Sequence, residues 1–162
     1  TLTISSAGKT FSFTGWKIGW ASGPADLIAA LEGAKNWLSY SSGAPFQPAI
    51  ALALGQHEDF HRELRADLTT KRDLMCAALA DLGFGVRVPE GTYFITADIR
   101  PLGQTDGLAF CQDLATSAGV VAIPSVAFYD DVTEGSPLIR FAFCKQQSVL
   151  EQGLERLQRW RG

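Results

Sequence analysis

The chain has 162 residues, 46% of them hydrophobic and 19% charged, with a mean hydropathy of +0.06. That composition is too apolar for a disordered segment, and its apolar runs are too interrupted for a membrane span. Lys and Arg number 14 against 17 Asp and Glu, a net charge of −3, so no basic footprint points to a nucleic acid or an anionic membrane and any phosphate must be gripped locally.

In chain order, Thr1-Leu2-Thr3-Ile4 alternates like a strand, and the polar, small run Ser5 to Thr10 breaks the pattern. Ile18 to Ala21 reads as a second strand closed by the turn Ser22-Gly23-Pro24. Pro24 suits a first helical position, and Leu27, Ile28, Leu31, Ala34 and Leu38 follow at helical spacing. After a Ser-, Gly- and Pro-bearing connection over 39–48, a long helix begins at Gln47 or Asp59 and runs to Leu82. Its apolar stripe is Phe60, Leu64, Leu68, Met75, Leu79 and Leu82, and Gly83 stands where a left-handed cap belongs. Phe84–Val88 and Tyr93–Ile99 read as strands, 106–118 as a helix, and Val120–Ile123 as a strand ended by Pro124. Leu138–Cys144 is a further strand, and Val149, Leu150, Leu154 and Leu157 mark a final helix. Interleaved strands and helices give an α/β class.

The richest segment is Ser5 through Trp20. Gly8-Lys9-Thr10 looks like the end of a phosphate-binding P-loop, but that loop needs a glycine five positions earlier, where Thr3 stands. A second pattern covers more residues: Ser6 three before Lys9, then Lys17 eight after it, followed by Ile18 and Gly19. Free lysine, with a pKa near ~10.4, is a poor nucleophile at neutral pH; desolvation and a neighbouring cation lower it enough to attack an aldehyde. Ser6 offers a hydroxyl and Lys17 a charge to a phosphate, while Ala7 and Gly8 let backbone approach closely.

This pattern resembles the cofactor-attachment motif of class I aminotransferases, the fold type I pyridoxal phosphate (PLP) enzymes. Where most of that class carries Arg, this chain has Lys17, a point charge in place of a fork. The run from Gly8 to Trp20 is similar to the kynurenine aminotransferase and glutamine transaminase K branch, shared by methionine-type and succinyldiaminopimelate aminotransferases.

Leu138-Ile139-Arg140-Phe141-Ala142-Phe143 sets an arginine in an apolar strand. Period two places Ile139, Phe141 and Phe143 on one face and Leu138, Arg140 and Ala142 on the other. A cation there needs a partner, and an edge-strand ion pair would supply one. The resemblance implies a different one: a C-terminal strand Arg in this family clamps the substrate's α-carboxylate.

His57-Glu58-Asp59-Phe60-His61 is a literal H-E-x-x-H, which on a helix can chelate zinc. The chain has only these 2 histidines, so a carboxylate would have to complete the set, and the segment reads as an outer helix start without metal. Trp16, Trp20, Trp37 and Trp160 read as packing residues, and Cys76, Cys111 and Cys144 as buried small hydrophobes. The odd number of cysteines, well separated, argues for a reducing, cytoplasmic compartment. Tyr40 and Tyr129 are further residues able to approach a substrate.

The resemblance implies a C-terminal part of a fold type I PLP-transferase: 1–45 the end of the large cofactor domain, 46–82 a linking helix region, and 83–162 a small α/β domain. It implies an aminotransferase acting on an amino acid and a 2-oxo acid by a ping-pong mechanism, with Lys9 catalytic and cofactor-binding, Ser6 and Lys17 on the phosphate, and Arg140 on the substrate. A homodimer and a longer parent polypeptide come with it, the start without Met at Thr1 being the mark of a cut. Two alternatives share the site: a cysteine-conjugate C–S β-lyase, and an aminotransferase-like effector domain of a transcription regulator.

Overall fold

The computed structural model describes residues 1–41, 43–56 and 58–161. The chain forms two compact units, Thr1–His61 and Arg62–Gly162.

The first unit opens with a hairpin of β1 (Thr3–Ser6) and β2 (Gly19–Ser22), paired antiparallel with Ser6 opposite Gly19. Ser5 and Ser6, expected to end the strand, continue it, because backbone pairing across the hairpin does not depend on their polar side chains. Between the strands lie a single helical turn, α1 (Ala7–Thr10), and a 3-10 turn over Thr14–Trp16. Ala7, Ile18 and Ile50 form a small buried cluster with Phe11 and Phe13 against it. Helix α2 (Ala25–Leu38) starts one residue after Pro24, which caps it from outside, and it buries none of its residues. Trp37 is 93% exposed, against the expectation of a packing role, while Ile28 and Leu31 of the same helix are half-buried. Helix α3 (Gln47–Gln56) follows.

Helix α4 (Glu58–Asp81) leads into the second unit and buries Met75, Cys76 and Leu79 there. It ends as the glycine foretold. Gly83 adopts φ +91°, its N–H donates to the Ala80 carbonyl at 2.9 Å, and the Phe84 N–H donates to the Leu79 carbonyl at 3.1 Å. These two bonds satisfy carbonyls that the helix end leaves open. Phe84 is thereby drawn into the cap, and strand β3 shrinks to Gly85–Val86.

The sheet of this unit has the order β3-β4-β6-β5, all antiparallel, with β4 Phe94–Asp98, β5 Ile123–Pro124 and β6 Leu138–Ala142. Ile95 pairs Phe141 and Ala97 pairs Ile139; all four are buried, as is Phe143. Against that face pack α4, α5 (Gly107–Asp113) and α7 (Gln147–Arg161), through Leu79, Phe110, Cys111, Leu150, Leu154 and Leu157 among others. Asp106 caps α5, its carboxylate accepting from the Leu108 and Ala109 N–H groups at 3.0 and 3.1 Å. The strand expected at Val120–Ile123 is reduced to two residues at the sheet edge. Pro124 lacks the N–H that would extend the ladder, and Val120 and Val121 precede the pairing. The short helix α6 (Val132–Gly135) leads back to β6.

Cys76 and Cys111 are buried, but Cys144 is exposed, correcting the expectation of three buried thiols; it follows Phe143 on the outward beat of the alternation. Burial pushes the Cys111 thiol up to about 11 from its ordinary 9.0. The folded state therefore keeps a proton that the unfolded chain loses, and stability falls as pH rises from 9.0 toward about 11. Denaturant titrations at pH 8 and 10.5 are expected to show a smaller alkaline loss for Cys111→Ala than for the parent chain. An equal loss in both would refute this. At the lower pH a thiol reagent should reach Cys144 alone.

Candidate active site

Ser6, Lys9 and Lys17 all lie on the segment that joins β1 to β2. Ser6 is the last residue of β1 and immediately precedes α1, in extended conformation (φ −142°, ψ 145°), with no capping bond from its side chain. The next residue, Ala7, donates its N–H to the Ile18 carbonyl at 3.0 Å, which ties the start of α1 to the residue after Lys17. Lys9 lies in the single turn of α1 and is exposed. This one-turn helix is not the long helix that follows a P-loop. The chain then doubles back, with the Phe13 N–H donating to the Gly8 carbonyl at 3.0 Å. A Cβ on Gly8 would meet Thr14 Cα at 3.0 Å, and one on Gly19 would meet the Ser5 carbonyl oxygen at 2.7 Å, so the tightness of this fold requires glycine at Gly19.

Lys17 holds a left-handed backbone (φ 54°, ψ 40°), a conformation that costs a non-glycine residue energy and concentrates at working sites. Phe60, Phe11, Phe13, Trp16 and Phe46 form a continuous run of rings, with successive centroids 5.4, 5.6, 4.6 and 4.4 Å apart. The run pins the segment between Lys9 and Lys17 at several points, and neither its stacking nor the backbone of Lys17 was expected from periodicity. Among the described residues, no hydrogen bond or ion pair engages the side chains of Ser6, Lys9 or Lys17.

His57 of the H-E-x-x-H string lies outside the described residues. His61 sets its ring edge against Phe11, at 5.7 Å and 65°, and no group of three metal-ligating side chains occurs among the described residues.

Arg140 belongs to the second unit. It sits on β6 opposite Thr96 of β4 and Ile123 of β5, on the half-buried sheet face away from the core, as the alternation requires. Its Cζ lies over the Phe94 ring at 4.1 Å from the centroid and over the Phe128 ring at 4.2 Å. Its Nε is buried with no hydrogen-bond partner. The edge-strand ion pair is not what is found: the neighbours are aromatic, and no described carboxylate pairs with this guanidinium. Phe94 and Phe128 were missed at the sequence level. Phe94 shares Arg140's sheet face by parity, which is a faint signal; Phe128, in the 3-10 turn Ser125–Phe128 after β5, leaves none.

The strand-to-helix turn carries Ser6, Lys9 and Lys17, and a separate strand carries Arg140 with no acidic partner among the described residues, a set of donors chemically suited to anions. The chain belongs to the aminotransferase class I and II family, whose model matches residues 1–157; the family is PLP-dependent. The N-succinyldiaminopimelate aminotransferase of Mycobacterium tuberculosis is similar in structure, with a TM-score of 0.90 and 49% identity over 99% of this chain and 42% of that one. A methionine aminotransferase of Escherichia coli has a TM-score of 0.87 at 34% identity, covering 98% of this chain and 42% of its own. A kynurenine–oxoglutarate transaminase of Dictyostelium discoideum is 35% identical over 97% of this chain and 41% of its own. The chain thus spans about two fifths of these relatives' length.

The donor set fits the cofactor: a primary amine for its aldehyde, and an unengaged hydroxyl and ammonium on a tightly folded hairpin for its phosphate. Lys9 would hold it covalently, and Ser6 and Lys17 would take the phosphate.

Proposed function

We propose that the complete polypeptide is a PLP-dependent aminotransferase moving an amino group from an amino acid to a 2-oxo acid in two half-reactions, of the N-succinyldiaminopimelate or kynurenine, glutamine or methionine type. The observation that supports this reading is that Ser6, Lys9 and Lys17 share the segment joining β1 to β2, with no hydrogen bond or ion pair on their side chains among the described residues. The relatives' names favour the substrate types, the N-succinyldiaminopimelate enzyme at 49% identity among them. When bound, the cofactor supplies an electron-withdrawing ring that stabilises charge left on the substrate's α-carbon. Lys9 Nζ, once free of the cofactor, would take the proton from the substrate's Cα as a base and give it up again as an acid. Ser6 and Lys17 fix the phosphate end so that this short transfer is repeatable. Arg140 binds the carboxylate through its N–H fork, whose plane matches the two oxygens.

The partition into 1–45, 46–82 and 83–162, a homodimer and a cytoplasmic location belong to the same proposal. No helix among the described residues is long and apolar enough to cross a membrane. A panel of amino donors assayed against 2-oxoglutarate and pyruvate, with the complete PLP-loaded polypeptide, is expected to show transamination dependent on an oxo acid. Pyruvate and thiol released from a cysteine conjugate without an oxo acid would establish the β-lyase instead, and cofactor binding with negligible turnover would refute an enzyme. The 162-residue chain alone is expected to be inactive.

A further inference from the structure

Arg140 is held in an unusual way for a surface-reachable cation: by rings, with its Nε left unpaired. A guanidinium without a carboxylate beside it rotates about its long stem, and each rotamer is lost when a ligand fixes it. Here Phe94 and Phe128 place their π faces on the guanidinium at 4.1 and 4.2 Å. Both contacts are attractive to the cation but satisfy none of its N–H donors. They come from independent elements: Phe94 from β4, two residues from Arg140's cross-strand partner Thr96, and Phe128 from the turn after β5. Rings on the guanidinium leave only its N–H edge for an anion, and an acidic residue in either place would have neutralised it.

We infer that Phe94 and Phe128 are positioning residues that hold the Arg140 guanidinium in one plane with its N–H edge free, so that a substrate carboxylate meets a pre-oriented fork. This rests on the reading of Arg140 as the carboxylate clamp. The pair acts equally on the amino acid and the oxo acid, since both carry the same carboxylate, and it acts on binding, not on proton transfer. Phe128 is not part of the buried core cluster of this unit, so its replacement tests the contact without opening that core.

The test is a double-mutant cycle in the complete PLP-loaded polypeptide, with Phe128→Leu, Phe94→Leu and Arg140→Lys alone and combined. A cation–π contact in a partly desolvated site corresponds to about fivefold to tenfold in affinity. KM for both the amino donor and 2-oxoglutarate should rise by that factor in Phe128→Leu, with kcat within about twofold as expected for lost uniform binding. Affinity for propionate, an unreactive carboxylate followed by tryptophan fluorescence, should fall in parallel. Phe128→Tyr, which keeps a π face, should restore both. In the Arg140→Lys background the leucine substitutions should add less than a twofold change. Unchanged KM and propionate affinity in both leucine variants, with Arg140→Lys impaired, would overturn the inference while leaving the clamp intact. The same loss in both backgrounds would overturn it too, by showing that the rings act structurally. If Arg140→Lys itself binds normally, the clamp reading fails and the inference with it.

Discussion

Lys9→Ala in the complete polypeptide is expected to abolish covalent cofactor attachment and nearly all turnover while leaving the fold untouched. Two losses combine. The alanine variant has no amine to attack the aldehyde, and it has no group to carry the proton at the substrate's α-carbon, a function that by itself accounts for on the order of 10² to 10⁴ in rate. Without cofactor the side chain is exposed and unengaged, so in the cofactor-free form its removal should shift stability by no more than about 0.5 kcal/mol. Lys9→Arg separates charge from nucleophilicity: the guanidinium keeps the cation but stays protonated and cannot attack, so it should fail as completely. The readouts are visible absorbance of the attached cofactor, turnover, and the thermal midpoint. A Lys9→Ala enzyme that transaminates at the parent rate would end the assignment.

Features resolved by neighbours in the sequence could be read from it. The cap at Gly83 depends on one residue's freedom at φ +91°, and the parity of Ile139, Arg140 and Phe141 depends only on the pleat of a strand. The spacing of Ser6, Lys9 and Lys17 is also local, and all three lie on the segment that joins β1 to β2. What escaped was set by pairing partners or by backbone strain. Whether Val120 and Val121 join a sheet is decided by where β6 offers hydrogen bonds, and hydrophobicity does not record that. The left-handed Lys17 has no compositional sign, because lysine is an ordinary residue that here holds a glycine-like conformation. Phe94 and Phe128 are distant in sequence and meet Arg140 only through the register of β4 on β6 and the turn after β5. Read as strings they are two more apolar residues.

Arg140→Leu should separate function from stability in opposite directions. The guanidinium keeps a buried, unpartnered Nε, and such a donor costs the folded state roughly 1–3 kcal/mol in lost hydration. Its rings return only part of that, about 0.5–2 kcal/mol for a cation–π contact. Leucine fills similar space with no donor to satisfy, so that penalty disappears with the substitution. The denaturation midpoint of the variant is therefore expected to hold or rise. Binding should move the other way. Losing a desolvated, charge-paired contact costs about 2–5 kcal/mol, so kcat/KM for amino donor and oxo acid should fall by roughly thirtyfold to a few thousandfold at 1.4 kcal/mol per tenfold. A residue that weakens its own fold and yet carries substrate affinity is held in place by function, and the paired measurement shows it directly. A large drop in stability with kcat/KM unchanged would instead make Arg140 a packing residue of the outer sheet face, its rings a fold-stabilising stack and nothing more.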